Sequence, residues 1–204
     1  MLNFLRNIFC RKEEVSTEMK YLIVGLGNMH PDYNETRHNI GFEVIDMLAQ
    51  DFNGKFKNES LGDLALIKHR GRQIYLLKPS TYMNRSGKSV RYWMQKLKIK
   101  AENLMVVVDD INLEYGKLRM RSKGADGGHN GLKDIQNMLA TSKYPRLRFG
   151  IGNDFSKGRQ VDYVLGKWSS EELDKLGSYI QKANEAILSF VSIGISHTMN
   201  KYNN

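Results

Sequence analysis

The stretch YLIVGLGNMHPDYNETRHNIGFEVID, residues Tyr21 to Asp46, decides the fold. Tyr21-Leu22-Ile23-Val24 is an unbroken apolar run of the length of a buried strand. Gly25-Leu26-Gly27 ends it, and a polar loop follows. A helix begins near Thr36 and runs to about Gln50, with Val44, Ile45, Met47 and Leu48 as its apolar stripe. His38 falls in its first turn. Open α/β sheets gather their chemistry in loops at the carboxyl ends of strands. A histidine there is the side chain best suited to move protons near neutral pH.

Outward from this segment, strand and helix signals alternate. Asp63 to His69 and Gln73 to Leu77 flank His69-Arg70-Gly71-Arg72, the pattern of a hairpin. Val90, Trp93, Met94 and Leu97 space a second helix. Leu104 to Val108 is an apolar strand closed by Asp109-Asp110. Leu132, Ile135, Met138 and Leu139 mark a third helix, and Leu147 to Ile151 a last central strand. Ser169 and Glu172 form a capping-box pattern opening a long helix with Leu173, Leu176, Ile180, Ala183 and Ile187. The alternation implies a single-domain α/β sandwich, a central mixed β-sheet flanked by helices.

The chain has 204 residues, enough for one domain with a sizeable core, and its 41% hydrophobic content supplies one. Cys10 is the only cysteine. That leaves no disulfide framework and no cysteine-based metal site, and suits a reducing, cytoplasmic setting. No apolar run approaches a membrane span. The net charge of +9 favours a polyanionic partner such as nucleic acid. Residues 1–18, MLNFLRNIFCRKEEVSTE, lack the features of a signal peptide. They read as a dispensable extension, or as sequence upstream of a start at Met19, and residues 19–204 as the domain.

Four polar clusters follow strand ends or open helices: Asn28, Tyr33, His38 and Asn39; Lys78 to Asn84; Asp109-Asp110; and the glycine-rich Gly124 to Gly131. Together they suggest hydrolysis with a histidine base. His38 would take a proton from water, and a carboxylate on its other nitrogen would fix the tautomer and stabilise the imidazolium. Asp109 is the best placed, and alternation along a strand turns Asp110 the other way. Asn28, Asn84 and Asn130 carry neutral amides able to hold a peptide backbone or donate to an oxyanion. Each residue alone has a plainer reading: asparagines near helix starts are often caps or turn formers. Four such groups after separate strands shift the balance towards a site.

Other signatures fail. Gly25-Leu26-Gly27 begins a dinucleotide fingerprint, but His30 occupies the third glycine position. There is no G-x-S-x-G elbow and no H-E-x-x-H spacing. A metal-free, cofactor-free hydrolase using water survives. Lys117, Arg119, Arg121 and Lys123 lie two apart, and on one strand all four would share a face, about 6–7 Å between neighbours, as a phosphate-binding stripe. Lys143, Arg146 and Arg148 extend it. A charged strand face that merely deters aggregation is the plainer alternative.

These motifs, in order, resemble those of bacterial peptidyl-tRNA hydrolases: LIVGLGN…Y…TRHNIGF, KPSTYMNRSGKSV, VVVDDINLEYGKLRMR, GADGGHNGLKDI, RLRFGIGN and VDYVLGKW. The similarity runs from about Lys20 to the last helix. It implies hydrolysis of the ester between a peptide and the terminal ribose of tRNA, which recycles tRNA in translation. It further implies His38 as general base and Asp109 as its supporting carboxylate. Asn28 is implied as selector of blocked over free aminoacyl-tRNA, and Tyr33, Tyr82, Met83, Asn84 and Asn130 as substrate contacts. A monomer with no metal, no membrane and no obligate protein partner is the family expectation, with tRNA bound by its acceptor stem and 3′ end. Three departures stand out: Asn28-Met29-His30-Pro31 where Asn-Pro-Gly is usual, Val108 where His is common, and Tyr82 for a frequent Phe. Loss of the glycine predicts an altered loop around Asn28. The rivals are a catalytically silent relative that binds structured RNA, and a nucleotide-dependent oxidoreductase.

Overall fold

The computed structural model describes residues 19–203, so the reading of residues 1–18 as an extension lies outside the described residues. In chain order the elements are β1 (Lys20–Gly25), α1 (Ile40–Asp51), β2 (Lys57–Glu59), β3 (Gly62–His69), β4 (Arg72–Pro79), α2 (Ser86–Leu97), β5 (Leu104–Asp110), β6 (Leu118–Arg121), α3 (Asn130–Leu139), β7 (Arg146–Gly150), α4 (Gln160–Val164), α5 (Ser170–Ile193) and α6 (Ile195–Tyr202). The strands form one sheet in the order β2-β3-β4-β1-β5-β7-β6. β4, β1, β5 and β7 are parallel, and β3 and β6 run against them. This is the mixed α/β sandwich that the alternating pattern implies.

Each face carries its own core. Alternate residues Tyr21, Ile23, Met105 and Val107 pack beneath α1, α5 and α6 with Ile45, Ile180 and Tyr202. Leu22, Val24, Val106 and Val108 face α2 and α3 with Trp93, Leu132 and Ile135. Burial on both sides explains why β1 and β5 read as continuous apolar runs rather than alternating ones. The Ser169–Glu172 capping box forms as its spacing predicts, and it starts the 24-residue α5.

Two details differ from the sequence reading. His38 lies in a short 3-10 turn, Arg37–Asn39, and α1 proper starts at Ile40. β6 pairs with β7 only over Leu118–Arg121. The basic alternation therefore outruns the strand: Arg119 and Arg121 share a strand face, while Lys117 and Lys123 flank it.

The glycines that began a broken fingerprint have a packing role. A Cβ on Gly25 would lie 2.1 Å from the Gly41 carbonyl oxygen, and one on Gly41 would lie 2.4 Å from Leu26 N and 2.7 Å from Val107 O. The start of α1 therefore rests on the bare backbone of β1 and β5, which brings its leading turn to the end of β5. Gly41→Ala should destabilise the fold by about 1–3 kcal/mol through overpacking, despite roughly 1 kcal/mol of better helix propensity. Urea denaturation followed by the fluorescence of buried Trp93 and Trp168 measures this, and an unshifted midpoint would dismiss the contact as a constraint.

Candidate functional site

The loops after β1, β4 and β5 and the segment leading into α3 enclose a cleft of about 480 Å³, whose walls include Asn28, Tyr33, His38, Tyr82, Met83, Asn84, Asp109, His129 and Asn130. Every catalytic and substrate-contact position named from the sequence therefore reaches one cleft. The basic stripe does not: among those cations only Arg148 borders it.

At its floor, Asp109 is 6% exposed. His38 Nδ1 lies 3.0 Å from both its carboxylate oxygens, and His129 Nε2 lies 3.0 Å from Oδ1. Burial alone would raise the Asp109 pKa, but the two histidines outweigh it and hold the carboxyl well below the ordinary range. For His38, burial disfavours the imidazolium, yet the charge and hydrogen bond of Asp109 prevail and its pKa lies above 6.5.

His129 received no role from the sequence, where it appears only as one residue of the glycine-rich loop. The structure makes it the N-cap of α3: its Nδ1 accepts from the backbone N–H of Gly131 and Leu132. A neutral imidazole has one acceptor nitrogen, so the proton of His129 sits on Nε2 and is donated to Asp109. The available signal was its position directly ahead of an apolar helical pattern, where caps occur.

Asp109 thus accepts from both rings, and His38 presents the unprotonated Nε2 of its neutral form. His38, Asp109 and His129 are the described cluster with metal-ligand composition. With Nδ1 committed to α3, neutral His129 has no lone pair on Nε2 for a metal. The donor set suits a proton relay.

Asn28 is held from three directions. Its N–H donates to Asn39 Oδ1 at 2.8 Å, its carbonyl accepts from Asn39 Nδ2 at 3.0 Å, and its side-chain oxygen accepts from Met83 N at 2.9 Å. The side-chain NH2 has no bond within the described protein and is the end available to a ligand. Where the loss of a glycine predicted a changed backbone, no strain is present. His30 adopts φ −67° and ψ 138°, ordinary extended backbone that needs no glycine.

The turn bearing His38 is tied down from outside. Arg37 donates to both carboxylate oxygens of Glu172, at 2.6 and 3.3 Å, and to the Lys167 carbonyl, and its guanidinium lies 4.5 Å from the Tyr163 ring centre. On the other side of the cleft, Arg148 Nε lies 3.0 Å from Asp110 Oδ2. Asp110 thus turns away from Asp109, as strand alternation requires.

Arg146 leaves the basic stripe: it is 1% exposed and donates to the carbonyls of Gly124, Ala125 and Ser142. Its task is to hold the glycine-rich loop. Arg119 pairs in register with Arg148 across β6 and β7, so those two guanidinium-bearing positions and Arg121 lead from the cleft to the sheet edge.

The tautomers are directly observable. Nitrogen-15 imidazole shifts at neutral or slightly alkaline pH should report Nδ1–H for His38 and Nε2–H for His129; the opposite tautomer at either ring would overturn the relay.

A family model described as peptidyl-tRNA hydrolase matches residues 22–204. The chain is 53% identical over 185 residues to a peptidyl-tRNA hydrolase of Bacteroides fragilis, covering 91% of this chain and 99% of that one. It is 54% identical over the same shares to one from Phocaeicola vulgatus. A crystal structure of peptidyl-tRNA hydrolase from Acinetobacter baumannii, 36% identical, matches with a TM-score of 0.85 over 92% of this chain and 97% of that chain. A domain-wide match of this kind, with the cleft formed by the same motifs that carry the sequence resemblance, leads to one assignment: the chain belongs to the peptidyl-tRNA hydrolase family.

Proposed function

We infer that this chain hydrolyses the ester linking a peptide to the terminal ribose of tRNA, releasing free tRNA and peptide, with His38 as the general base. Family membership supports the reaction. The observation that carries the role of His38 is the ionised, buried Asp109 bonded to its Nδ1, which leaves Nε2 as the basic nitrogen.

The steps follow from the side chains. Nε2 of His38 takes a proton from water as the water oxygen attacks the ester carbonyl. Asp109 stabilises the imidazolium so formed. The free amide of Asn28, with Asn84 and Asn130 lining the same cleft, donates to the oxygen that gains negative charge. The tetrahedral intermediate then collapses, and the departing ribose oxygen takes the proton from His38. The donors are neutral, so the carboxylate product leaves readily. Tyr33, Tyr82 and Met83 hold the substrate in the cleft.

The tRNA acceptor stem approaches along Arg148, Arg119 and Arg121, with Lys117 and Lys123 adding charge at the edge. No helix of the described residues is long and apolar enough to cross a membrane. A tRNA substrate supports a cytoplasmic setting.

His38→Ala should lower turnover of N-acetyl-aminoacyl-tRNA by at least about 10²-fold with the circular dichroism spectrum unchanged. Activity close to wild type would rule out the assignment and leave a silent RNA binder. A base must be unprotonated, and the pKa of His38 is raised above 6.5. The rate of the wild type should therefore climb with pH through a midpoint above 6.5. Asp109→Asn removes the charge responsible, so the midpoint should move down and the plateau rate fall; an unmoved midpoint would separate the two residues. Arg119→Ala with Arg121→Ala should weaken tRNA binding and reduce the salt slope by about one to two, since each phosphate left without its cation lowers the slope by close to one. An unchanged slope would remove the stripe from the interface.

A further inference from the structure

A second groove, about 520 Å³, adjoins the catalytic cleft and shares Asn28, Tyr82 and Arg85 with it. Met29, Thr81 and Lys88 are among its own walls. No lining residue carries a carboxylate, and neither Arg85 nor Lys88 has an ion-pair partner among the described residues. Arg85 closes the turn ahead of α2 and Lys88 lies in the first turn of that helix, and both border the groove. Thr81 adds a buried hydroxyl with no partner in the protein, the kind of group that a bound backbone amide would satisfy.

Position in the sheet indicates what lies there. The groove is built from the segments after β1 and β4, on one side of His38 and Asp109. The arginines of β6 and β7 lie on the other side, in the spatial order β4-β1-β5-β7-β6. An ester substrate has two arms, the nucleic acid and the acyl chain. With the nucleic acid on the β7 and β6 side, the acyl arm leaves the reacting carbonyl towards β4.

We propose that this second groove is a subsite for the peptide beyond its ester-linked residue, and that Arg85 and Lys88 select acidic side chains in that peptide. The proposal rests on the ester-hydrolase reading above. It gives the protein a substrate preference: peptides whose second residue from the ester is acidic are cleaved faster than those in which it is basic. Tyr82, 69% exposed, stands between cleft and groove as the shared wall over which the chain passes.

The test compares kcat/KM for N-acetyl-glutamyl-glycyl-tRNA and N-acetyl-lysyl-glycyl-tRNA. The wild type should prefer the glutamyl substrate roughly three- to tenfold, the size expected of one or two partly exposed ion pairs, expressed mainly in KM. The neutral double variant Arg85→Gln/Lys88→Gln should bring the ratio near one, and Arg85→Glu/Lys88→Glu should reverse it. A ratio near one in the wild type overturns the proposal. So does a double variant that slows both substrates equally with the ratio kept, since the cations then act on the tRNA backbone or on the fold. N-acetyl-glycyl-tRNA, which has no second residue, separates the two claims: its hydrolysis by His38→Ala at the wild-type rate would sink the general base while leaving the measured ratio to be judged alone.

Discussion

A carboxylate buried to the extent of Asp109 stays ionised only if protons are brought to it, because removing the charge from water is costly unless donors compensate. Two imidazoles supply them. Once both are committed, little else about the centre is free. His129 must keep its proton on Nε2, so its Nδ1 turns to the open N–H groups at the start of α3. His38 must keep its proton on Nδ1, so its Nε2 is the basic atom. The tautomers of both rings, the cap of α3 and the basic atom of the cleft all trace to satisfying one buried charge at the end of β5.

Much of this could be read along the chain, because the signals were local. The apolar runs of β1 and β5, the hairpin of β3 and β4, and the Ser169–Glu172 cap are short-range patterns, and each formed where its spacing put it. The pairing of His38 with Asp109 crosses 71 residues; strand-end logic suggested it, and the family motifs carried it. What escaped were contacts whose residues look ordinary locally. His129 resembles a loop histidine until its distance to Asp109 is known. Arg146 resembles a surface cation in an alternating basic run, yet the pairing of β7 with β5 turns it inward beneath the loop it supports. Asn39 has no local mark of its grip on Asn28. The basic alternation from Lys117 to Lys123 overstated the length of β6, because charge period does not report where ladder bonding stops.

The departures in the loop after Asn28 illustrate a related point. Glycine at the position of His30 looked necessary for backbone freedom, but the chain here takes an extended conformation open to any residue. Asn28 owes its position to Asn39 and Met83 instead. Polar bonds from neighbouring elements hold the residue, and the loop sequence beyond it is free to vary.

The clamp between Arg37 and Glu172 has a wider consequence. Glu172 is at once the third residue of the cap that starts α5 and the anchor for the turn carrying His38. Fraying of a helix end is the commonest local opening in a folded chain. In this protein such an opening at α5 also releases Arg37, the neighbour of His38. The free energy that protects the first-turn amides of α5 from hydrogen exchange is therefore drawn from the same contacts that keep the turn carrying His38 in register, and the two equilibria are linked although they belong to segments far apart in the chain.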